Sequence, residues 1–295
     1  MTKDIPELVR SVLTLSRNTL VLHLRFMDTA ISRLAWCSLP DALAVSPALA
    51  PLLGLRMATE GTTLLYDPLA VCRAYAADKA NGPRNYLHLL LHCVFRHFDV
   101  APTVMHELWD LACDMAVEGV INSLHIPAVE TSQVDAQNQA LQQLAPHVNN
   151  LLTAEKLYVF LRASPPDDRE MKRLKALFSP DDHLLWYTAS LTQQLRTLSN
   201  SGPGIQHTAS ASTGSGDGDS DETASATLAP QSLLEDWKGI SEGIQMDLET
   251  FSKRQGDTAD SMMQNLRAVN REKYDYTSFL KKFAVLGEVM RINED

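Results

Sequence analysis

Residues 85–98, NYLHLLLHCVFRHF, set three histidines into a run that is otherwise almost wholly apolar, and no other stretch constrains the fold as tightly. On an α-helix His88 and His92 differ by about 40° in azimuth and roughly 6 Å along the axis, so both imidazoles can reach one cation. This is the spacing of the zinc helix His-Glu-x-x-His, whose glutamate acts as general base. Here the glutamate position is Leu89. His97 lies about 180° around a continued helix from His88. Like Cys93 and Cys113, it is read as a core residue. A third ligand must come from elsewhere.

The next helical stretch, predicted over 103–124 and ended by Pro127, offers one. Asp110, Asp114 and Glu118 follow one another at four-residue steps and form a carboxylate stripe. Such groups are costly to place beside Leu111, Ala112, Met115 and Val117 unless something pairs with them, and a cation would do so. An antiparallel pairing of the two helices through the short DVAPT turn makes Asp114 the third ligand. Asp110 and Glu118 then lie one turn away on either side, where they could orient imidazoles or a bound water. Glu118 is also the candidate for a relocated general base. The polar cluster DDHLLW (Asp181, Asp182, His183, Trp186) is read as a helix cap in preference to a source of ligands.

The rest of the chain gives the setting. Residues 5–37 carry large apolar side chains at three- and four-residue intervals, which predicts one long or two consecutive amphipathic helices. Three prolines make 38–54 loop with short helix. LRMATEGTTLLYDP is the best strand candidate, with a Glu-Gly turn signal, and Asp67-Pro68 opens a helix after it. Asn81-Gly82-Pro83 then precedes the histidine helix. Helical pieces follow at TAEKLYVFLRA, capped by Thr153, and at 168–198. From 199 to 230 Gly, Ser, Thr, Ala and Asp dominate and cannot offset chain entropy, which predicts a disordered linker. Helical periodicity returns over 231–295. The expected organisation is thus a domain at 1–198, the linker, and a helical segment at 231–295. The fold class is mainly α with a small β element, of zincin-like type.

A formal net charge of -10 over 295 residues argues against nucleic acid or an anionic membrane surface as partner, and favours protein partners or a polypeptide substrate. No stretch approaches the roughly 18 apolar residues of a membrane span. Four cysteines without a CxxC pair read as reduced thiols, and the expected location is cytoplasmic.

With these motifs in hand, the chain resembles the predicted metal-dependent peptidases that join an N-terminal metallopeptidase-type domain to a C-terminal von Willebrand factor A-like domain. The resemblance rests on TEGTTLLYDP, YLHLLLHCVFRH, LWDLACDMAVEGVIN, TAEKLYVFL and the closing YDYTSFLKKFAVLGEVMRINED. In that family the first motif typically reads His-Glu-x-x-His with a further histidine five residues on; this chain keeps His88, His92 and His97 and departs at Leu89. The resemblance implies metal ligands at His88 and His92, with Asp114 beside them, and leaves the catalytic base unfilled. It also implies a missing C-terminal domain, which would begin about where RINED stops, and a MoxR-type AAA+ ATPase as partner.

Three readings follow. One is a zinc hydrolase whose base has moved to Glu118. The second is a metal-stabilised, catalytically inactive module that binds proteins as an adaptor to an ATPase, and the third is a helical scaffold without metal. Two histidines and one carboxylate also describe a ferrous facial triad, so Fe2+ is the alternative to Zn2+.

Overall fold

A computed structural model of the chain describes residues 5–201 and 229–255, together with positions 262, 263, 266, 267 and 270. Most of the expected linker at 199–230, and all of 271–295, lie outside the described residues.

Among the described residues the fold is mainly helical with one small sheet. Helix α1 (Ile5–His23) buries Val9, Val12, Leu13, Ser16 and Leu20, the inward stripe that its periodicity predicts. After a 3-10 turn and the one-turn α2 (Asp28–Ile31), the chain forms strand β1 (Ala35–Ser38), where the periodicity predicts helix through Cys37. Ala35, Trp36 and Cys37 are all buried. An unbroken apolar run of this kind is shared by buried helices and buried strands, so periodicity does not separate them. Ser38 caps α3 (Leu39–Val45) by accepting a hydrogen bond from Asp41 N.

Strands β2 (Met57–Thr59) and β3 (Thr63–Tyr66) form the predicted extended pair around the Glu60-Gly61 turn. They pair antiparallel, Met57 opposite Tyr66, and β1 adds to β3 in parallel to give the order β1-β3-β2. Asp67 then caps α4 (Pro68–Ala77) through the amides of Leu69 and Ala70.

The centre of the molecule is the pair α5 (Asn81–Val94) and α6 (His106–Ser123). Gly82 and Pro83 sit in the first turn of α5, where the missing proline N–H leaves no bond unmade. From Tyr86 to Val94 every residue of α5 is buried, as a helix that is apolar all round requires. The two helices run antiparallel, as predicted: His88 meets Glu118 near one end, and Trp109 Nε1 donates to His97 O, 3.1 Å away, near the other.

Helices α7 (Val134–Leu144), α8 (Ala154–Ala163, capped by Thr153) and α9 (Asp168–Phe178, capped by Asp167) follow. The helical piece expected over 168–198 is broken at 179–188, before α10 (Ala189–Ser201). Helix α11 (Gln231–Gln255) packs Leu233, Trp237, Ile244 and Leu248 into the same core as α1, α5 and α6. A second, smaller core joins Cys37, Leu49 and Leu65 to Leu185, Leu191 and Leu195. Among the described residues no helix is long and apolar enough to cross a membrane.

Candidate metal centre

The antiparallel pairing turns two sequence motifs into one site. His88 and His92 project from α5, Asp114 from α6, and Asp181 and His183 from the irregular segment between α9 and α10. Nε2 of His88 lies 2.8 Å from Nε2 of His92, 3.4 Å from Asp114 Oδ1 and 3.3 Å from Asp181 Oδ1. His92 Nε2 is 3.3 Å from Asp114 Oδ1 and 3.8 Å from Asp181 Oδ2. His183 Nε2 approaches the same two carboxylates at 3.3 and 3.2 Å. All five side chains are buried. The ligand atoms of His88, His92, Asp114 and Asp181 lie within 4.8 Å of one another, so these four could hold a metal ion.

The proximity does not amount to a closed hydrogen-bond network. Asp114 Oδ2, both carboxylate oxygens of Asp181 and His183 Nε2 are buried and have no hydrogen-bond partner among the described residues. Buried oxygens in that condition cost several kcal/mol each unless a cation or proton satisfies them. The donor set fits a borderline divalent metal, for which imidazole and carboxylate are ordinary ligands. Four ligand atoms set about 2.0–2.1 Å from a tetrahedral ion stand roughly 3.3 Å apart, which the observed separations bracket.

Each imidazole is held from behind. His88 Nδ1 lies 2.7 Å from Glu118 Oε1, and His92 Nδ1 lies 2.9 Å from His97 Nδ1. His183 Nδ1 lies 3.5 Å from Asp110 Oδ1, which also accepts a hydrogen bond from the Tyr187 hydroxyl. Glu118 is tied further. Its Oε2 accepts from Arg84 Nε at 2.9 Å, from Arg84 Nη2, and from Gln137 Nε2 at 2.8 Å. Arg84 is buried with it and also donates to Val129 O, Asn122 Oδ1 and Gln137 Oε1.

Electrostatics follow from this packing. Burial raises the cost of ionising Asp181, but the His183 and His88 charges outweigh it and hold its carboxyl well below the usual range. Asp114 is lowered in the same way, against burial and the charge of Asp181, by His183, His88 and His92. Burial also disfavours an imidazolium at His183, yet Asp181 and Asp114 push its pKa up to about 10. His88 is raised well above its ordinary value on the same balance of burial against Asp181, Asp114 and Glu118. At His92 burial prevails, helped by the charges of His88 and His183, and the pKa falls to about 4.

The structure brings together His88, His92 and Asp114 as the sequence predicts, and corrects two expectations. The 181–186 cluster is not a helix cap: no side chain there caps the 3-10 turn Leu184–Trp186, and Asp181 and His183 point into the site instead. His97 does not face away from the pair, because α5 stops before reaching it. Arg96 adopts a left-handed φ of 53°, and His97 N and Arg96 N bond back to the carbonyls of His92 and Cys93, a Schellman ending that folds His97 onto His92. Glu118 lies on the Nδ1 side of His88, with both oxygens engaged, and does not face the point of convergence. Asp110 is an outer partner, but to His183 and not to the α5 pair. Leu89 is buried in the main apolar core. Cys93 meets Thr59 Oγ1 at 3.8 Å, and both Cys93 and Cys113 remain core residues.

A cavity of about 230 Å³ is lined by Glu118 and, among others, by Arg56, Asn81, Arg84, Asn85 and Gln137; none of the five converging residues lines it. Comparison with family models, with curated proteins and with solved structures finds no match, so the site has to be interpreted from its own chemistry.

Proposed function

We propose that this chain is a metal-binding helical module in which one divalent ion, zinc in preference to iron, is held by His88, His92, Asp114 and Asp181. The ion serves the fold and the binding of protein partners, not peptide hydrolysis. The observation that carries this reading is the set of buried oxygens of Asp114 and Asp181 without a hydrogen-bond partner, beside the point where two histidine Nε2 atoms converge. Glu118 supports it by accepting the Nδ1–H of His88, which turns Nε2 toward the metal position.

The hydrolase reading lacks its proton acceptor. A general base is worth about 10²–10⁴-fold in rate. The position that would supply it is an apolar core residue, Leu89, and the substitute, Glu118, is committed to His88, Arg84 and Gln137. A role as adaptor to a MoxR-type AAA+ ATPase is the partnership that the family resemblance suggests for such an inactive, zincin-like module.

Elemental analysis of the purified chain tests the centre. One divalent ion per chain is expected, with zinc dominant after metal-replete expression, and its loss in the His88→Ala/His92→Ala double variant. Full metal content in that variant, or none in the wild type, would overturn the reading.

A further inference from the structure

We infer that His183 is a fifth ligand to the same ion, so that the metal clasps the segment between α9 and α10 onto the α5–α6 pair. The inference rests on the metal reading above and goes beyond its four ligands. Three observations carry it.

The first is that His183 Nε2 is buried without a hydrogen-bond partner while standing 3.3 Å from Asp114 Oδ1 and 3.2 Å from Asp181 Oδ2. A buried imidazole nitrogen that stands at ion-pair distance from two carboxylates, without a hydrogen bond to either, is placed to share a cation with them.

The second is a shared arrangement. Each of the three imidazoles turns Nε2 inward and Nδ1 toward a polar partner: Glu118 for His88, His97 for His92, Asp110 for His183. Metal-bound histidines are held in this manner, because the partner at one nitrogen fixes the tautomer and aims the other. Asp110 is fixed in turn by the Tyr187 hydroxyl.

The third is the way the segment is mounted. Asp182 N donates to Met57 O at 2.9 Å, Asp182 Oδ2 accepts from Arg56 N at 2.8 Å, and Trp186 Nε1 donates to Thr59 O at 2.9 Å. The Trp186 ring stacks on His183 with centroids 3.9 Å apart. The segment is thus laid along β2, and Leu185 enters the second apolar core. An ion bound by Asp181 and His183 joins that core to the first. Five protein ligands also fill a zinc or cobalt shell to a number at which a substrate finds little room.

The test uses the full chain loaded with zinc or cobalt. X-ray absorption of the zinc form counts coordinated imidazoles without any substitution; three are expected, and two would overturn the inference while leaving the four-ligand centre intact. Cobalt titration gives an independent measure. The wild type should show the weak visible bands of five-coordination, and His183→Ala should shift them toward the stronger tetrahedral pattern, with affinity lowered at least tenfold. An unchanged spectrum and affinity in His183→Ala would overturn the fifth ligand alone. Absence of metal binding in the wild type would overturn both this inference and the reading beneath it. Hydrogen exchange adds the clasp: removing the ion should deprotect 179–187 before it deprotects the α5 core, and the reverse order would count against it.

Discussion

Glu118 meets His88 through the ring nitrogen that faces away from the other histidines: Oε1 is 2.7 Å from Nδ1, while Nε2 looks toward Asp114 and Asp181. The carboxylate behind the ring is balanced by a buried guanidinium, Arg84, so a charge pair and an imidazole lie in line across the interface of α5 and α6. The stability of the helix pair and the affinity of the proposed metal centre should therefore be linked through one residue.

That linkage can be measured in Glu118→Gln. The substitution keeps the size of the side chain, removes the negative charge opposite buried Arg84 and turns an amide NH2 toward donors. Losing one partner of a buried ion pair costs about 3–5 kcal/mol, and losing a ligand's outer partner lowers metal affinity about 10–100-fold. Denaturant unfolding of the metal-free chain and chelator competition with the loaded chain should show both losses. A relocated general base predicts the opposite pattern, with affinity untouched and a hydrolytic rate abolished.

Leu89→Glu restores the letter of the zinc-helix motif without restoring its chemistry. Leu89 is 1% exposed and belongs to the main apolar core, so the new carboxyl enters an apolar interior. A cost of several kcal/mol is expected, with the acid held neutral by burial and no gain in cleavage of unfolded protein substrates. If the site were a peptidase that had only lost its base, hydrolysis would instead rise by about 10²–10⁴-fold. A thermal melt and a casein-type cleavage assay on one preparation separate the two.

Gly61 offers a test remote from the metal. Its φ of 98° turns the chain between β2 and β3, and a Cβ there would lie 3.0 Å from Phe98 Cζ and 3.2 Å from Leu233 Cδ2. Its carbonyl accepts the Trp237 indole at 2.7 Å, which ties α11 to the hairpin. Gly61→Ala combines a backbone conformation that alanine resists with contact against two core side chains, and should destabilise by more than about 1 kcal/mol. Tryptophan emission should shift to longer wavelength as Trp237 loses its buried position.

The sequence carries part of this site openly and hides the rest for physical reasons. His88, His92 and Asp114 lie on regular helices, where spacing translates into direction, so their convergence is legible from residue numbers alone. His97 is not, because its direction depends on where α5 ends. That end is set by Arg96 in a left-handed conformation, for which glycine would have been the usual signal. Asp181 and His183 sit in irregular chain, where no period exists to aim a side chain, and their site partners are more than 60 residues away in sequence. The signal that could have found them is chemical: an acid and a histidine beside Leu184, Leu185 and Trp186, the same mixture of ligands and apolar residues that marks α5. Strand β1 is obscured for a third reason, since an apolar run of three buried residues fits either element.

Proton competition gives the sharpest solution test of the centre. In the metal-free chain His88 is raised well above its ordinary value and His183 is pushed up to about 10, so both carry protons at neutral pH. A metal that binds their Nε2 atoms must displace those protons. Affinity should then rise with pH by as much as about a hundredfold per unit around neutrality, ten for each proton released. The metal-free fold responds in the opposite direction. A histidine whose folded pKa lies above its unfolded value of about 6.5 contributes stability that is full below that pH and is lost as pH rises through the folded value. His92, lowered to about 4, has the converse effect and withdraws stability as pH falls from about 6.5 toward 4. The metal-free chain should therefore be most stable near pH 6.5 with respect to these three groups and weaken on the alkaline side, where the loaded chain holds. Calorimetry in two buffers of different ionisation enthalpy should count about two protons released per ion at pH 7. A count near zero would show that neither His88 nor His183 gives up its proton to the metal, and the centre would have to be rebuilt without them.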